Sequence, residues 1–235
     1  MEKSVEYFDR PGFVNSKRTL ELARGRALEL GRRYAVVASV TGRGALRLAR
    51  LLEGASVRVV CVTFRAGTIW RMETLEKSEI WDEIPELSRV RERWKGEGVD
   101  GISGPTEDTI EALQNLRAKV VTATDLGWSI DASLRLSLGI GSPVEIIKET
   151  LRLLCPGFHV AMFATMTAAD AGAIPVDEEV VAVGGTEYGL DTALVIKPSY
   201  SDQMFDRVHG LEVREVVCKP RSMKGPSGFY LERGA

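Results

Sequence analysis

Residues 34–45 of the chain read YAVVASVTGRGA, a short apolar run that passes at once into a turn of hydroxyl and glycine residues. The apolar part, residues 34–39, has the length and composition of a buried β-strand. The turn leads into a helix predicted from residue 44 to residue 53, because leucines recur there at helical spacing. A strand followed directly by a helix is the building unit of parallel sheets, so this stretch predicts an α/β fold.

The same alternation continues on both sides of this unit. Helices are predicted at about 20–30, 106–116, 126–138 and 143–155, and strands at 57–63, 119–122, 158–163, 180–183, 192–196 and 211–217. The clearest helix start is Ser142-Pro143-Val144-Glu145, an N-cap, a proline at the first helical position and a capping-box glutamate. We therefore expect a three-layer α/β/α fold with a mostly parallel sheet. The late strands, joined by short links, are expected to add an antiparallel edge.

Composition excludes several classes of protein. The chain has 235 residues, and its 31 basic against 33 acidic residues give a net charge of −2, without the excess that nucleic-acid binding needs. No apolar run approaches the roughly 20 residues that span a bilayer, and the first residues lack the order of a secretory signal. Three cysteines, none in Cys-x-x-Cys spacing, fit a reducing cytoplasm, and two histidines exclude a His-rich metal site. We expect a cytoplasmic chain with no membrane or nucleic-acid partner.

Residues 1–221 are expected to form one domain. Within it, residues 65–101 are rich in charge and carry Trp70, Trp81 and Trp94. The favoured interpretation is a solvated helical excursion that its tryptophans pin to the body of the protein. The alternative is a lid or a partner-binding arm, because exposed tryptophans are typical of interfaces. Residues 222–235, with three glycines and a proline, are expected to be a loosely held tail.

The turn after the first strand has the chemistry of a phosphate site. Unpaired N–H groups at a helix start favour an anion, and an arginine adds a forked donor for phosphate. The candidate binding residues are Ser39, Thr41, Gly42, Arg43, Gly44 and Ala45, with Thr63 at the end of the second strand. The alternative is a turn that needs glycine only for its backbone angles. The Gly-x-Gly-x-x-Gly motif of dinucleotide-binding proteins is incomplete, because Arg47 stands in the place of its third glycine. The Gly-Lys-Ser/Thr sequence of ATP-binding P-loops is absent as well.

Two further loops are candidates. Residues 184–192, the second glycine loop, offer backbone amides and polar side chains, although a plain hairpin turn would need the same residue types. Its candidate residues are Gly184, Gly185, Thr186, Gly189, Asp191 and Thr192. In residues 165–172, expected to follow a strand, Asp170 is a candidate for a sugar hydroxyl or for a helix cap. His159 is interpreted as a core residue of an apolar strand. No serine, cysteine or lysine has a visible base partner, so nucleophilic catalysis has no support.

The loop at Thr41-Gly42-Arg43-Gly44-Ala45 resembles the effector-phosphate loop of the pyruvate kinase C-terminal domain, and the second glycine loop resembles the one that closes over the effector there. The whole chain is similar to a stand-alone family of pyruvate kinase C-terminal-like proteins of archaea and bacteria. The matching stretches are 7–12, 36–39, 166–175, 181–185, 192–198 and 215–221. The chain departs from the family at Gly44, where a serine or threonine is usual, and in the length of residues 65–101.

The resemblance implies a three-layer fold with at least five strands, one of them antiparallel, and a ligand site at the Thr41 loop, where family members hold flavin mononucleotide (FMN). It does not imply pyruvate kinase activity, which needs a catalytic barrel of about 250 residues. The first hypothesis is a binding module for a phosphorylated small molecule, with FMN as the cofactor. The alternatives are a flavin-dependent or phosphate-directed enzyme with Asp170 or Asp191 as acid or base, and a regulatory protein that docks a partner through residues 65–101. A homo-oligomer is left open.

Overall fold

A seven-stranded sheet lies at the centre of the protein. The computed structural model describes residues 4–71, 92, 95–98, 101–186 and 189–222. The strands are β1 (Glu6–Phe8), β2 (Tyr34–Ala38), β3 (Arg58–Thr63), β4 (Trp70–Arg71), β5 (Gly101–Ile102), β6 (Lys119–Thr122), β7 (Val180–Gly184), β8 (Thr192–Lys197) and β9 (Glu212–Pro220). Their order in the main sheet is β1-β9-β8-β7-β2-β3-β6, and β4 and β5 form a separate antiparallel pair.

Helices cover both faces of this sheet. Those in the described residues are α1 (Ser16–Glu29), α2 (Arg43–Leu51), α3 (Glu107–Asn115), α4 (Ile130–Leu138), α5 (Pro143–Arg152) and α6 (Pro156–Asp170). Apolar side chains of α1, α2 and α3 pack on one face of the sheet, and those of α5 and α6 pack on the other. Along β2 the valines alternate between the two cores, Val36 on the α6 side and Val37 on the α1 side. The three-layer α/β/α architecture is confirmed.

The sheet is mostly parallel, as expected. Only β8 runs against its neighbours in the main sheet, since β7 and β9 both pair with it antiparallel. It lies inside the sheet rather than at an edge, because β9 and then β1 extend the sheet beyond it. Strand β1, which the sequence did not predict, pairs parallel with β9 over three residues. Such a short strand leaves too few residues for an alternating pattern to be recognised.

The prediction of a strand at residues 158–163 is wrong, because these residues belong to helix α6. Helix α6 packs against β2, β7, β8 and α5, so its apolar residues do not follow a single stripe. A continuous apolar run of this kind does not distinguish a buried strand from a buried helix. Residues 165–170 of the loop expected at 165–172 are accordingly the end of α6, and residues 171–172 form the turn after it. His159 lies near the start of α6.

Other boundaries shift less. The helix predicted at 126–138 is a 3-10 turn at Leu126–Trp128 followed by α4. The N-cap at Ser142 is confirmed, since its hydroxyl accepts a hydrogen bond from the Val144 amide at 3.2 Å. Most of the 65–101 excursion, with Trp81 and Trp94, lies outside the described residues, as do residues 223–235 of the predicted tail. In the part of the chain that the structure describes, no helix combines the length and apolarity needed to cross a membrane.

The approach of α6 to the sheet depends on Gly184 at the end of β7. A Cβ atom at this position would overlap the Gly157 carbonyl oxygen and would lie 2.7 Å from the Ala161 amide nitrogen. Both contacts are with the backbone, so no side-chain rotation can relieve them. The short distance between the α6 backbone and β7 therefore requires the absence of a side chain here.

We expect Gly184→Ala to lower the free energy of unfolding by about 1–3 kcal/mol, the usual cost of forcing extra volume into a packed core. Urea denaturation measures this loss. The matched control is Gly25→Ala at an exposed position of α1, where a Cβ atom would meet nothing within 4 Å. Alanine there should raise stability by roughly 0.5–1 kcal/mol, because it favours a helix over glycine. Equal effects from the two substitutions would contradict the close-contact argument.

Candidate functional site

A cavity of about 540 Å³ lies at the carboxyl ends of β2, β3 and β6. Its wall includes Ala38 and Ser39 after β2, Thr63 at the end of β3, and Ala123 after β6. This volume is within the roughly 300–1,000 Å³ of small-molecule sites in proteins. Open α/β sheets bind ligands beyond the carboxyl ends of their strands, near the point where strand order reverses. Strand β2, with β3 on one side and β7 on the other, is that point here.

Aromatic side chains form much of the apolar lining. Phe64 and Trp70 have ring centroids 5.4 Å apart and planes tilted by 60°. Phe163 of α6 and Trp128 of the 3-10 turn complete this set. Aromatic faces of this kind pack favourably against a flat, conjugated ring. The cavity therefore has the lining expected of a site for a planar ligand.

The charged residues of the lining are mostly cationic. Among the described residues they are Arg65, Lys148 and Arg152, against the single carboxylate of Asp125. Burial raises the pKa of Asp125, although the Gly127 amide donates a hydrogen bond to its Oδ1 at 2.8 Å and Lys148 also lowers it. The chain as a whole carries a net charge of −2, so the positive charge of the cavity is a local property.

The pKa of His159 is lowered in this environment. Burial, followed by the positive charges of Arg152 and Lys148, lowers the pKa of His159 from its usual 6.5 to about 3. Its ring meets the edge of Phe163 with centroids 5.8 Å apart. At neutral pH the imidazole is therefore uncharged and can serve as a donor or an acceptor.

The 41–45 loop forms the start of α2. Gly42 is the N-cap and has a left-handed φ of 74°, and the Gly44 amide donates to the Ser39 hydroxyl at 3.2 Å. A Cβ on Gly42 would lie 2.9 Å from Thr109, and one on Gly44 would lie 2.9 Å from Leu190 of the second glycine loop. The helix start is thus packed against α3 and against the second glycine loop.

The second glycine loop is organised by Asp191, which is fully buried. Its Oδ2 accepts hydrogen bonds from the Gly12 amide at 2.8 Å and the Thr186 amide at 3.2 Å. Its Oδ1 accepts from the Thr192 hydroxyl at 2.8 Å. Burial raises the pKa of Asp191, and these donors act in the opposite direction. Residues 187 and 188 of this loop lie outside the described part of the chain.

The structure divides the predicted site residues, all of which it describes, into three groups. Four of them line the cavity, namely Ser39, Thr63, Gly185 and Gly189. Others belong to the start of α2 or to the buried network of the second glycine loop, namely Thr41, Gly42, Arg43, Gly44, Ala45, Gly184, Thr186, Asp191 and Thr192. Asp170 is the last residue of α6, and its Oδ1 accepts a hydrogen bond from the Ser201 amide at 2.9 Å, where it caps a 3-10 turn.

Several lining residues were missed by the sequence analysis. They are Asp125, Trp128, Lys148, Arg152 and Phe163, while His159 was assigned to the core. The only signal for the two cations is their spacing of four residues, which puts Lys148 and Arg152 on one face of α5. The same spacing is typical of a solvated helix face, so the sequence does not separate the two interpretations.

Comparison with known families adds no assignment, since no protein-family model matches this chain. Within the described residues, no group of three or more His, Cys, Asp or Glu side chains is arranged to hold a metal ion. The fold and the cavity together describe an α/β protein with a cavity of small-molecule size at the switch point of its sheet.

The lowered pKa of His159 predicts a pH dependence of stability. Below pH 6.5 the unfolded chain takes up a proton on this residue while the folded chain does not, so the free energy of unfolding falls as the pH falls towards 3. Between pH 7 and pH 5 the native protein should lose about 1–2 kcal/mol more than His159→Gln, following the 1.4 kcal/mol per pKa unit of proton linkage. Urea denaturation at both pH values measures the difference.

The control for this experiment is His209→Gln, at the other histidine of the chain, which is exposed. It should retain the full pH dependence of the native protein. A His159→Gln variant with an unchanged pH dependence would show that the imidazole is protonated as readily in the folded chain as in the unfolded one.

Proposed function

We propose that the chain is a binding module for a phosphorylated small molecule with a planar ring, and that this molecule is FMN. The observation that supports the proposal is the cavity at the carboxyl ends of β2, β3 and β6, with aromatic side chains and an excess of positive charge in its wall. FMN itself is supplied by the sequence resemblance, since the cavity chemistry alone selects only the class of ligand.

The residues present fit the parts of FMN. The aromatic lining suits the isoalloxazine ring, the polar side chains of Thr63, Thr68 and Thr124 suit the ribityl hydroxyls, and the cations suit the phosphate. A bound flavin would supply reversible electron transfer. The aromatic residues of the lining would hold such a ring and shield it from water.

Neither proposed acid–base residue favours the enzyme hypothesis. Asp170 caps a 3-10 turn, and Asp191 is enclosed by protein donors, so neither carboxyl belongs to the cavity wall. The docking hypothesis rests on residues 65–101, most of which are outside the described part of the chain. A cytoplasmic location is proposed as well, supported by three cysteines that are all free and buried.

The sequence proposes the 41–45 loop as the position of the phosphate. The support for this position is that Ser39, directly before the loop, lines the cavity. However, the Gly44 amide is already bonded to the Ser39 hydroxyl, and the loop packs on Thr109 and Leu190. Where the phosphate binds and which ligand binds are therefore two separate questions, and each needs its own experiment.

We expect saturating FMN to raise the melting temperature of the chain by roughly 5–10 °C. A ligand at 100 times its dissociation constant adds about 2.7 kcal/mol to folding, and each kcal/mol moves Tm by roughly 2–4 °C at this chain length. Riboflavin, which has the same ring and ribityl chain without the phosphate, should raise Tm by clearly less. Differential scanning fluorimetry or calorimetry measures both shifts.

Equal shifts with FMN and riboflavin would show that recognition rests on the ring and would reject the phosphate part of the proposal. No shift with either compound would reject a flavin ligand. Mass spectrometry of the small molecules released from the denatured, purified protein then identifies what the cavity holds instead.

A further inference from the structure

Two of the cavity cations are on the same face of helix α5. Lys148 and Arg152 are one helical turn apart, and both line the cavity. Arg65 comes from the far side of the sheet edge, after β3. The paired cations of α5 are thus the densest positive charge in the cavity wall.

The side chain of Lys148 is buried, which is unusual for a lysine. The side chain is only 6% exposed, and its nearest carboxylate oxygen, Glu145 Oε1, is 3.7 Å from Nζ. That distance is beyond a hydrogen bond, and Glu145 is shared with Arg135, whose Nε is 3.1 Å away. No hydrogen bond from Nζ occurs within the described residues. An anion in the cavity would give Nζ the hydrogen-bond acceptor that the described residues do not provide.

The position of Lys148 is fixed by its surroundings. Its aliphatic stem passes over Gly127, where a Cβ atom would lie 3.1 Å from Lys148 Cδ and 3.2 Å from the Phe163 ring. The ammonium lies 5.8 Å from the centre of the Trp128 ring. The charge is therefore held beside an aromatic face before any ligand arrives, and a preformed site binds with a smaller entropic cost.

The chemistry of the pair suits a phosphate. A lysine ammonium is a compact point charge, and an arginine guanidinium offers a planar fork of donors that matches phosphate oxygens. Arg152 also contacts Glu149, with its NH1 donating to Oε1 at 2.7 Å, which orients the guanidinium along α5. Burial is the main cause of the lowered pKa of His159, and the positive charges of Arg152 and Lys148 lower it further.

We propose that Lys148 and Arg152 bind the phosphate of the cavity ligand, next to the Trp128 ring. The inference rests on the proposed function, and it places the phosphate on α5 rather than on the 41–45 loop. At that loop one amide of the helix start already has a protein acceptor and two glycines are covered by side chains. At α5 the side chain of Lys148 is buried and held beside Gly127 and the Trp128 ring, and its Nζ donates no hydrogen bond within the described residues.

The test measures FMN and riboflavin affinity by flavin fluorescence titration of the full chain and of Lys148→Met. Methionine keeps the length of the buried stem and removes the charge. We expect FMN affinity to fall about 10- to 100-fold, the range of a lost charge-assisted hydrogen bond, with riboflavin affinity unchanged. Lys17→Met, at an exposed lysine of α1, is the matched control and should bind both compounds as the native chain does.

Each other outcome overturns the inference in a recognisable way. An equal loss for both flavins would make Lys148 a packing residue. An unchanged FMN affinity in Lys148→Met, with a selective loss in Arg43→Ala, would put the phosphate on the 41–45 loop. If Lys148→Met does not fold, Arg152→Gln gives the same readout.

A native chain that binds neither flavin rejects the proposed function, and inorganic pyrophosphate then tests the anion site by itself. A rise in Tm with pyrophosphate that is lost in Lys148→Met or Arg152→Gln would support the site on α5. The absence of any rise would overturn it.

Discussion

The buried carboxylate of Asp191 joins parts of the chain that are far apart in sequence. It accepts hydrogen bonds from the amides of Gly12 and Thr186 and from the Thr192 hydroxyl. The start of the chain is thereby fixed on the second glycine loop, and β8 begins in a defined place beside β7. A buried N–H group without an acceptor costs about 1–3 kcal/mol, so this carboxylate stabilises the loop that carries Gly189 into the cavity wall.

The architecture could be predicted from the sequence because most helices and strands show the hydrophobic spacing that is typical of their type. The run at β2 and the turn into α2 predict a parallel strand–helix unit, and this unit lies at the middle of the sheet. Helix α6 was misread for a physical reason: it is buried against the sheet and α5, and a helix without a polar face has no 3.6-residue period. The site at the carboxyl ends of the strands follows from topology, and so its location was predictable.

The composition of the site was predictable only in part. Loops after strands gave Ser39, Thr63, Gly185 and Gly189, because a chain reversal has recognisable turn residues. Phe163, Lys148 and Arg152 come from helices α6 and α5, and Phe64, Arg65 and Trp70 follow β3 in the chain. The direction of these side chains into the cavity depends on tertiary packing. On α5 the sequence shows charges at helical spacing, which is the pattern of a surface helix, and nothing local reveals that Lys148 is buried.

The position of Lys148 connects this packing to the chemistry of the cavity. Gly127 leaves room for the lysine stem, and the same small residue gives its amide to the Asp125 carboxylate in the cavity wall. A side chain at this position would press on the lysine stem and on the Phe163 ring, and it would contact Asp125, the acidic residue among the described lining residues. Gly127 therefore lies against both a cation and a carboxylate of the cavity wall. Since the strength of an electrostatic contact rises as water is excluded, the placement of these charges affects how strongly the cavity would attract an anion.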